Sequence, residues 1–550
     1  MVKYTIITVC FDKTGGKRMR LNFLTTGWST SHSGIEQAIK QRIQLFEKHN
    51  LPYRLVTVEP DVNQHELLKD DGINDKKTVN LYDYFAGDVD TSRKQYTFET
   101  LKKIIPKNIQ LKVENEVSMV GSLDEHTIFR AYAFQNHNIE QIDIYDKNYR
   151  NRQVIWFDSR GWPACISDYD LQGNVIMERR INSEGKLYHQ VQFQKNDVTG
   201  ESEKTIHQLF WKDQIFTFDG DNSLYSFFYD CLVYDSTQKE VFLVDRTNEL
   251  DYPVLNMKLP VVKYMYLHSD HINSHNKDLK NNIDDELYGS LNPNYEYALN
   301  HIEKWDGVLM PTAWQKEIFQ RRYKNLAKTY IIPVGYIPEN TVKQVPWGNR
   351  DQYKIICMAR LAEEKSLDDL IHAYQIVALS YPESTLEFWG FDAGEKEFLE
   401  NEVKQCNLEK NVKFMGYTRN PGKVYDKAQI AVLPSHNEGF ALSLMESIGH
   451  GVPTITYEAY YGSRAIIDDG KDGYLAEPGN INDISIKLLG LIQNPAKAKK
   501  FSESAYKLSK KYSEKTILSR WKRFLEIAEK ACEKKTEKVN KHHVSEKRIG

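Results

Sequence analysis

The sequence is poor in cysteine. Its 550 residues contain six cysteines, which are widely separated and form no C-x-x-C pair. Zinc-binding and iron–sulfur sites need clustered thiolates, so the sequence contains no pattern for either kind of site. We expect the six to be buried free thiols in a reducing cytoplasm.

A long apolar run is also missing. No stretch approaches the about 18 apolar residues of a membrane span. The run Y-T-I-I-T-V-C-F (4–11) is too short and too polar-flanked for a signal peptide. The sequence therefore predicts a cytoplasmic protein, with any membrane contact peripheral and at the inner face. Net charge is only −3, so bulk electrostatics indicate no nucleic-acid partner.

Strand-like and helix-like segments alternate along much of the chain. The run 4–11 and P-Y-R-L-V-T-V (52–58) are typical of strands, and 33–49 carries a helical apolar stripe. This is the β–α–β start of a parallel sheet. We predict an N-terminal Rossmann-like domain at 1–70 and 206–335, an insertion at 71–205, a second such domain at 336–515, a closing helix at 516–532 across the domain seam, and a frayed polar tail at 533–550.

The insertion at 71–205 shows period-two alternation with turn signals. Gly161, Gly173 and Gly185 are 12 residues apart, and an Asp or Asn precedes each turn. Hairpins repeated at this interval predict an antiparallel meander. Its edge strands offer unpaired backbone groups, so the insertion is also a candidate for pairing with a second copy or a partner chain.

Two glutamates stand out in S-H-N-E-G-F-A-L-S-L-M-E-S-I-G-H-G-V-P, Ser435 to Pro453. Glu438 lies in a turn after the apolar strand I-A-V-L-P, and Glu446 is expected about two turns into the following helix. The free N–H groups of such a helix start suit a diphosphate. A carboxylate is not needed to bind a phosphate, so Glu438 is expected to accept hydrogen bonds from hydroxyl groups. On a helix of 3.6 residues per turn, eight positions return to within about 80° of the first side, so both carboxylates can face one polyhydroxylated ligand.

Two cations follow another predicted strand. Arg360 and Lys365, in A-R-L-A-E-E-K-S, come directly after the strand at 353–359. Ligands of such sheets bind at the carboxyl ends of the strands. Negative charge grows on a diphosphate as its bond to a sugar breaks, so fixed cations there stabilise the transition state more than the ground state.

These two segments together resemble the donor half of the family 4 retaining glycosyltransferases. The turn W-G-F-D-A-G-E (389–395) and the segment Y-G-S-R-A-I-I-D-D-G-K-D-G-Y-L (461–475) fit the same pattern. The resemblance extends over most of 1–530. It implies an α/β protein of the GT-B fold, with two Rossmann-like domains facing a cleft and a β-rich antiparallel insertion in the N-terminal domain.

The resemblance also implies roles for individual residues. Arg360 and Lys365 would clamp the UDP diphosphate, Glu438 would bind hydroxyls of the donor hexose, and Glu446 would hold the ribose hydroxyls. Further donor-binding positions are Gly416 and Tyr417 at the uracil and the backbone of Gly439, Phe440 and Ala441, where the usual G-F-G-L is G-F-A-L.

The N-terminal half resembles a bacterial subgroup of the same family. The segment 22–38 implies that Gly34, at a helix start, approaches the donor phosphates. The segment L-H-S-D-H (267–271) implies a histidine near the donor sugar, with His268 as first choice and His271 as second. A hydrogen-bonded structural histidine is the alternative for each. His32 is expected at the surface.

Subgroup members glycosylate serine-rich adhesins and Ser-Asp repeats, or decorate the poly(glycerol phosphate) and poly(ribitol phosphate) of wall teichoic acid. The implied donors are UDP-GlcNAc and UDP-glucose, and the implied chemistry is a front-face displacement that retains the α configuration. No D-x-D motif stands where a metal site would need one; D-G-D at 219–221 is expected to be a turn. We therefore expect no metal and no other cofactor.

Three hypotheses about function stay open at this point. A serine-rich protein is the favoured acceptor, and a teichoic acid polymer is the alternative. The third hypothesis is a non-catalytic subunit that binds acceptor for a partner glycosyltransferase. It is disfavoured because Arg360, Lys365, Glu438 and Glu446 are all present.

Overall fold

The computed structural model describes residues 18–29, 33–89, 91–196, 199–273, 287–324, 326–339, 344–459 and 461–546, with only the backbone from 538 onward. Two compact units are present. The first comprises Leu51–Val262 with the described parts of Met1–His32 and Lys534–Gly550, and the second comprises Ser33–Asn50 and Lys263–Glu533. The predicted strand at 4–11 and His32 lie outside the described residues.

The strands and helices have the following bounds. The strands are β1 (Met19–Leu24), β2 (Tyr53–Thr57), β3 (Thr78–Asn80), β4 (Gln110–Asn115), β5 (Ser118–Leu123), β6 (His126–Ala133), β7 (Ile139–Tyr145), β8 (Asn151–Asp158), β9 (Trp162–Tyr169), β10 (Val175–Ile181), β11 (Leu187–Lys195), β12 (Ser202–Trp211), β13 (Gln214–Phe218), β14 (Lys239–Val244), β15 (Val262–Tyr266), β16 (Gly307–Met310), β17 (Thr329–Ile331), β18 (Lys354–Met358), β19 (Thr385–Trp389), β20 (Val412–Gly416), β21 (Ile430–Leu433), β22 (Thr454–Tyr457) and β23 (Gly473–Ala476). The helices are α1 (Gly34–Lys48), α2 (Gln64–Asp70), α3 (Leu81–Ala86), α4 (Phe98–Ile104), α5 (Asp221–Tyr234), α6 (Thr247–Leu255), α7 (Glu296–Asn300), α8 (Ala313–Tyr323), α9 (Leu367–Ser380), α10 (Lys396–Gln405), α11 (Pro421–Lys427), α12 (Leu442–Gly449), α13 (Gly462–Ile466), α14 (Ile481–Ile492), α15 (Pro495–Leu508) and α16 (Glu514–Glu546).

In the first unit, four parallel strands lie in the order β3-β2-β1-β14. The strand beside β2 is β1, M-R-L-N-F-L, which sequence patterning did not predict as a strand. Arg20 and Asn22 interrupt its apolar run, and both are satisfied by Glu240 of β14, at 2.5 Å from Arg20 Nη2 and 2.6 Å from Asn22 Nδ2. A partner so distant in the chain leaves no local signal in the sequence.

The same unit contains a ten-stranded antiparallel sheet in which β4 to β13 pair in chain order. The predicted hairpin glycines Gly161, Gly173 and Gly185 all have positive φ, at 103°, 88° and 81°. The sheet continues to Phe218, past the predicted boundary at 205. The β12–β13 turn is formed by Lys212 and Asp213, with φ of 49° and 58°, so the glycine that usually marks such a turn is absent.

In the second unit, β15, β16 and β17 pair in parallel, and a six-stranded parallel sheet has the order β20-β19-β18-β21-β22-β23. The predicted strand–helix alternation from 353 onward is present. Ser366 is at the N-cap position of α9 as predicted, but it has φ 47° and its side chain makes no capping hydrogen bond.

The C-terminal helix is longer than predicted. Helix α16 runs from Glu514 to Glu546 without interruption, so the tail expected to fray from 533 begins as helix. The tail sequence E-K-K-T-E-K-V-N-K contains neither Gly nor Pro, and Glu and Lys favour helix. Within the second unit, Trp521 of this helix packs edge-on against Phe46 of α1, at 5.4 Å between ring centroids.

Candidate functional site

The strand order of the six-stranded sheet indicates where a ligand binds. From β18 the chain moves outward through β19 and β20, and then returns to form β21 on the other side of β18. The loops that leave β18 and β21 therefore diverge, and an open α/β sheet binds ligands at this reversal, at the carboxyl ends of the strands. The two loops contain Arg360 and Lys365, and Glu438.

The structure brings Lys365 and Glu438 into direct contact. Lys365 Nζ donates to Glu438 Oε1 at 2.7 Å, and the two side chains are only 16% and 12% exposed. The loops are also linked through Ser435, whose Oγ donates to the carbonyl of Glu364 at 3.3 Å. Water and salt screen the attraction between these two largely buried charges less than they would at the surface. The attraction therefore holds both side chains in place.

Arg360 lies on the same loop in a more open setting. Its Nη2 donates to Glu364 Oε1 at 2.6 Å, and the side chains are 41% and 50% exposed. Such exposed pairs contribute little free energy, about 0–1 kcal/mol. The guanidinium can therefore exchange Glu364 for a phosphate, which it would bind with two parallel hydrogen bonds.

Gly439 lies where two backbones nearly touch. A Cβ at this position would lie 2.5 Å from Ser269 Cα and 2.7 Å from the His268 carbonyl oxygen. The Tyr295 hydroxyl accepts the N–H groups of His268 at 2.9 Å and Ser269 at 3.0 Å. His268, partly exposed just beyond β15, is thus held beside the Glu438 turn. Sequence reasoning assigned no role to Tyr295, because its contact with the segment after β15 has no local signal.

His271, the second-choice histidine, is a core residue. It is fully buried between Phe319 and Tyr461, at 5.6 and 5.5 Å between ring centroids. Neither ring nitrogen has a hydrogen-bond partner among the described residues. Burial, with a smaller effect from Arg322, lowers the pKa of His271 to about 3. The ring is therefore neutral and structural, as the alternative expected, although it makes no hydrogen bond to the residues that the structure describes.

Glu446 lies about one turn into α12, not two. Glu438 precedes this helix, so the expected spacing of eight positions along one helix does not apply to the pair. Phe440 and Ala441 are buried, and Ala441 is the N-cap residue of α12. The Glu446 side chain is partly exposed, and burial of its carboxyl raises its pKa to about 7. This carboxyl therefore titrates in the physiological range.

We expect Glu446→Gln to be most stabilising above pH 7. The folded protein holds a proton on Glu446 up to about pH 7, whereas the ordinary pKa is 4.5. Wild-type stability therefore falls as pH rises from 4.5 to 7, and the glutamine variant lacks this loss. Thermal unfolding should show the variant's Tm advantage growing by on the order of 2 °C across this window. An advantage that is constant with pH would contradict the raised pKa.

Gly416 and Tyr417 end β20 at the same edge of the sheet. Gly416 has φ 74°, its carbonyl accepts the Gly390 N–H at 3.0 Å, and Tyr417 is 47% exposed. Gly390 belongs to the turn W-G-F-D-A-G-E (389–395) that fits the family pattern, although sequence reasoning assigned it no individual role. A Cβ there would lie 1.8 Å from the Ala359 carbonyl oxygen, so only glycine allows the ends of β18 and β19 to approach this closely.

Gly34 is the first residue of α1, with Ser33 as N-cap. Ser33 and Glu36 form a capping box, in which Glu36 Oε2 accepts the Ser33 N–H at 2.7 Å. Gln41 of the same helix accepts the Tyr336 N–H at 3.2 Å. A Cβ on neighbouring Gly335 would lie 2.5 Å from both Gln41 Oε1 and Leu442 Cδ2. Helix α1 therefore passes beside the start of α12, which follows the Glu438 turn.

We expect Gly34→Ala to separate stability from donor binding. No atom of the described residues lies within 4 Å of a Cβ at this position, so the free protein should keep or slightly raise its Tm. If a donor phosphate approaches this backbone, the added methyl group raises the donor KM several-fold. Steady-state kinetics and thermal unfolding of the same variant test both parts. An unchanged KM would remove Gly34 from the donor site.

One group of the described side chains is close enough to be considered as a metal site. Among the described residues, His65, Asp83 and Asp158 are close enough to share one ion. Arg160 Nη2 already bonds Asp83 at 2.7 Å and Asp158 at 2.8 Å, so a guanidinium stands where the cation would be. Of the D-G-D sequence, Asp219 and Gly220 form a bend before α5, with Gly220 at φ 101°, and Asp221 is the first residue of that helix. No helix in the described part of the chain is both long and apolar enough to span a bilayer.

Known proteins resemble this chain in sequence and in fold. Residues 340–508 match the family described as "Glycosyl transferases group 1". The poly(glycerol-phosphate) alpha-glucosyltransferase of Bacillus subtilis is 25% identical over 531 residues, which cover 91% of this chain and 74% of that protein. The GtfA subunit of a UDP-N-acetylglucosamine–peptide N-acetylglucosaminyltransferase from Streptococcus agalactiae is 22% identical, over 91% of this chain and 96% of that protein.

Two solved structures are also similar over nearly the whole chain. Pneumococcal GtfA, an O-GlcNAc transferase, has a TM-score of 0.81 at 20% identity, covering 93% of this chain and 99% of that one. A mutant of S. aureus TarM has a TM-score of 0.76 at 20% identity, covering 92% and 99%. The resemblance seen in the sequence is confirmed: residues 340–508 are a glycosyl transferases group 1 domain, in a chain with the GT-B fold.

Proposed function

We propose that this protein is a UDP-sugar-dependent hexosyltransferase that retains the α configuration. In this proposal it moves GlcNAc or glucose to serine or threonine hydroxyls of a serine-rich protein. The observation that carries the proposal is the Lys365–Glu438 contact, 2.7 Å long, at the reversal point of a parallel sheet. It supports the proposal because a cation of the kind that binds a diphosphate lies beside a carboxylate of the kind that binds sugar hydroxyls, next to the segment that holds His268.

The chemistry follows from where charge develops. Cleavage of the bond between the anomeric carbon and the diphosphate oxygen moves an electron pair onto the diphosphate. Lys365 and Arg360 are placed to stabilise that charge. In a front-face displacement, the acceptor hydroxyl attacks the face from which the diphosphate departs, and the leaving diphosphate takes the proton. Glu438 orients the hexose through its hydroxyls, while Glu446 binds the ribose.

We propose that the reaction needs no metal ion. Two side-chain cations on the loop after β18 supply the positive charge that a divalent ion supplies in other sugar transferases. Arg360 is free to turn toward a phosphate because its exposed pair with Glu364 contributes little free energy. Transfer should then persist in EDTA.

A teichoic acid polymer is the second candidate acceptor. It is supported by the Bacillus subtilis relative, which by its name acts on poly(glycerol phosphate). The GtfA relatives, which act on peptide by name, support the protein acceptor. A partner chain is a further possibility within the proposal, since one similar structure is a GtfA/B complex. The edge strands β4 and β13 are the surfaces we propose for pairing with a partner or a second copy.

A transfer assay with purified protein tests the proposal. Labelled UDP-GlcNAc or UDP-glucose is incubated in EDTA with a serine-rich repeat polypeptide or, separately, with poly(glycerol phosphate). Label on the polypeptide supports a protein O-glycosyltransferase and identifies its sugar. Label on the polymer alone assigns the enzyme to teichoic acid. Donor hydrolysis with neither acceptor labelled indicates that a partner chain is missing, and no turnover of either donor contradicts the proposal.

A further inference from the structure

A second concave site in the unit of Ser33–Asn50 and Lys263–Glu533 is strongly basic. A cavity of about 770 Å³ opens where β16 and β17 end and α8 begins, and its other walls come from α13 and the first turns of α16. Five basic residues line it, namely Lys316, Arg464, Lys511, Arg520 and Arg523, and its lining contains no Asp or Glu. We call it the basic cavity.

Two of these cations are bonded to neighbouring groups. Lys511 Nζ donates to the Ala465 carbonyl at 2.7 Å, at the end of α13. Arg464 Nε pairs with Glu458, just outside the cavity, at 3.1 Å. Glu458 offsets the charge of Arg464, and the nearby carboxylates of Asp472 and Asp468 partly offset the charge of Lys511.

The other three cations are much less engaged. Arg520 makes a single long contact, from Nη1 to the Ile331 carbonyl at 3.5 Å. The side chains of Lys316 and Arg523 make no hydrogen bond or ion pair within the described part of the chain. Lys316 and Arg520 are partly buried, so repulsion between like charges there is screened less than at the surface. An anion in the cavity would relieve this repulsion.

The start of α8 adds to the positive potential. Thr312 caps this eleven-residue helix, and Ala313, its first residue, lines the cavity. The N-terminus of a helix attracts anions through its free N–H groups and its dipole. The cavity also has flat apolar walls, since Tyr330 and Phe524 both line it and pack edge-on at 5.4 Å between ring centroids. A ligand with both phosphate and a ring matches these walls.

We propose that the basic cavity binds a small soluble phosphate ester or diphosphate at a site distinct from the donor site. Its volume falls within the range of about 300–1,000 Å³ typical of small-molecule sites. A concave shape favours a discrete ligand over a membrane surface. The cavity shares no lining residue with the loops at 359–366 and 434–441, so the inference does not rest on the proposed function.

Pyrophosphate titration calorimetry tests this inference. Because pyrophosphate would also bind a donor site, the parent protein for the titration is the variant Arg360→Gln/Lys365→Met. We expect it to bind one equivalent, and adding Arg520→Gln and Arg523→Gln to weaken binding by about tenfold or more. Adding Lys522→Gln instead should change nothing, because Lys522 is exposed on the same helix and lies outside the lining.

Several results would show that the basic cavity does not bind pyrophosphate. Absence of pyrophosphate binding by the parent variant, or equal binding after removal of both arginines, would overturn the inference. The single substitution Lys316→Gln lies on α8 and should also weaken pyrophosphate binding. It leaves α16 unchanged, so a loss of binding in this variant cannot come from damage to that helix. Binding to phosphatidylglycerol vesicles without pyrophosphate binding would overturn the inference in favour of a membrane surface.

Discussion

We expect Glu438→Gln to lower kcat by about 10²–10³-fold while the protein stays folded. The substitution keeps the size of the side chain but removes the negative charge that Lys365 contacts and that would accept hydrogen bonds from the donor hexose. The glutamine side-chain oxygen can still accept a hydrogen bond from Lys365 Nζ at the same place, and both side chains keep some exposure to water. The loss should therefore appear in turnover and much less in stability.

Initial-rate kinetics with both UDP-sugars, together with thermal unfolding, measure this effect. Glu363→Gln is the matched control, since Glu363 is an exposed glutamate two residues before Lys365. The control should keep wild-type kcat. Lys365→Met should also lower kcat, and a double-mutant cycle should show strong coupling between residues 365 and 438. Transfer by the Glu438 variant at the wild-type rate would show that the reacting sugar lies elsewhere.

Gly439→Ala should damage both activity and stability. Its Cβ would lie 2.5 Å from Ser269 Cα and 2.7 Å from the His268 carbonyl oxygen, and backbone atoms cannot rotate away as side chains do. The Glu438 turn and the His268 segment must then separate. Overpacking of this kind costs about 1–3 kcal/mol of folding free energy. A displacement of about 1 Å in the site lowers the rate by about 10²-fold.

Gly490→Ala is the control for the Gly439 variant. Gly490 lies within α14, and among the described residues no atom comes within 4 Å of the position that an alanine Cβ would occupy. Alanine there should therefore raise stability by up to about 1 kcal/mol. Chemical denaturation and kcat/KM of both variants complete the comparison. If Gly439→Ala matches wild type in kcat/KM, the close approach to His268 has no role in turnover.

The parts of the site that sequence reasoning found are those with a local pattern. One pattern is β18 followed by two cations, and the other is β21 followed by the Glu438 turn; each spans about a dozen residues. Ligands of an open parallel sheet bind where the strand order reverses, so the two loops are expected to lie together. Their roles toward a ligand stay predictions. What could not be read from the chain is that Lys365 and Glu438 contact each other, since they are 73 residues apart.

The wrong predictions also arise from features that have no local pattern in the sequence. Strand β1 was missed because its polar residues are satisfied across the sheet by Glu240. The β12–β13 hairpin was cut short because Lys212 and Asp213 adopt positive φ without glycine. The buried state of His271 depends on Phe319 and Tyr461, which are distant in sequence. In each case a tertiary partner, or a backbone conformation unusual for the residue type, decides the outcome.

The pairing order of the strands also determines when each sheet can form during synthesis. Every strand from β4 to β13 pairs with its chain neighbours, so the meander can assemble hairpin by hairpin as it leaves the ribosome. Strand β1 must wait for β14, because Arg20 and Glu240 are 220 residues apart. At typical translation rates that delay is about 10–40 s. The meander is thus complete before the sheet that brackets it in sequence can close, and the waiting edge of β1 is a point at which chaperone binding would matter.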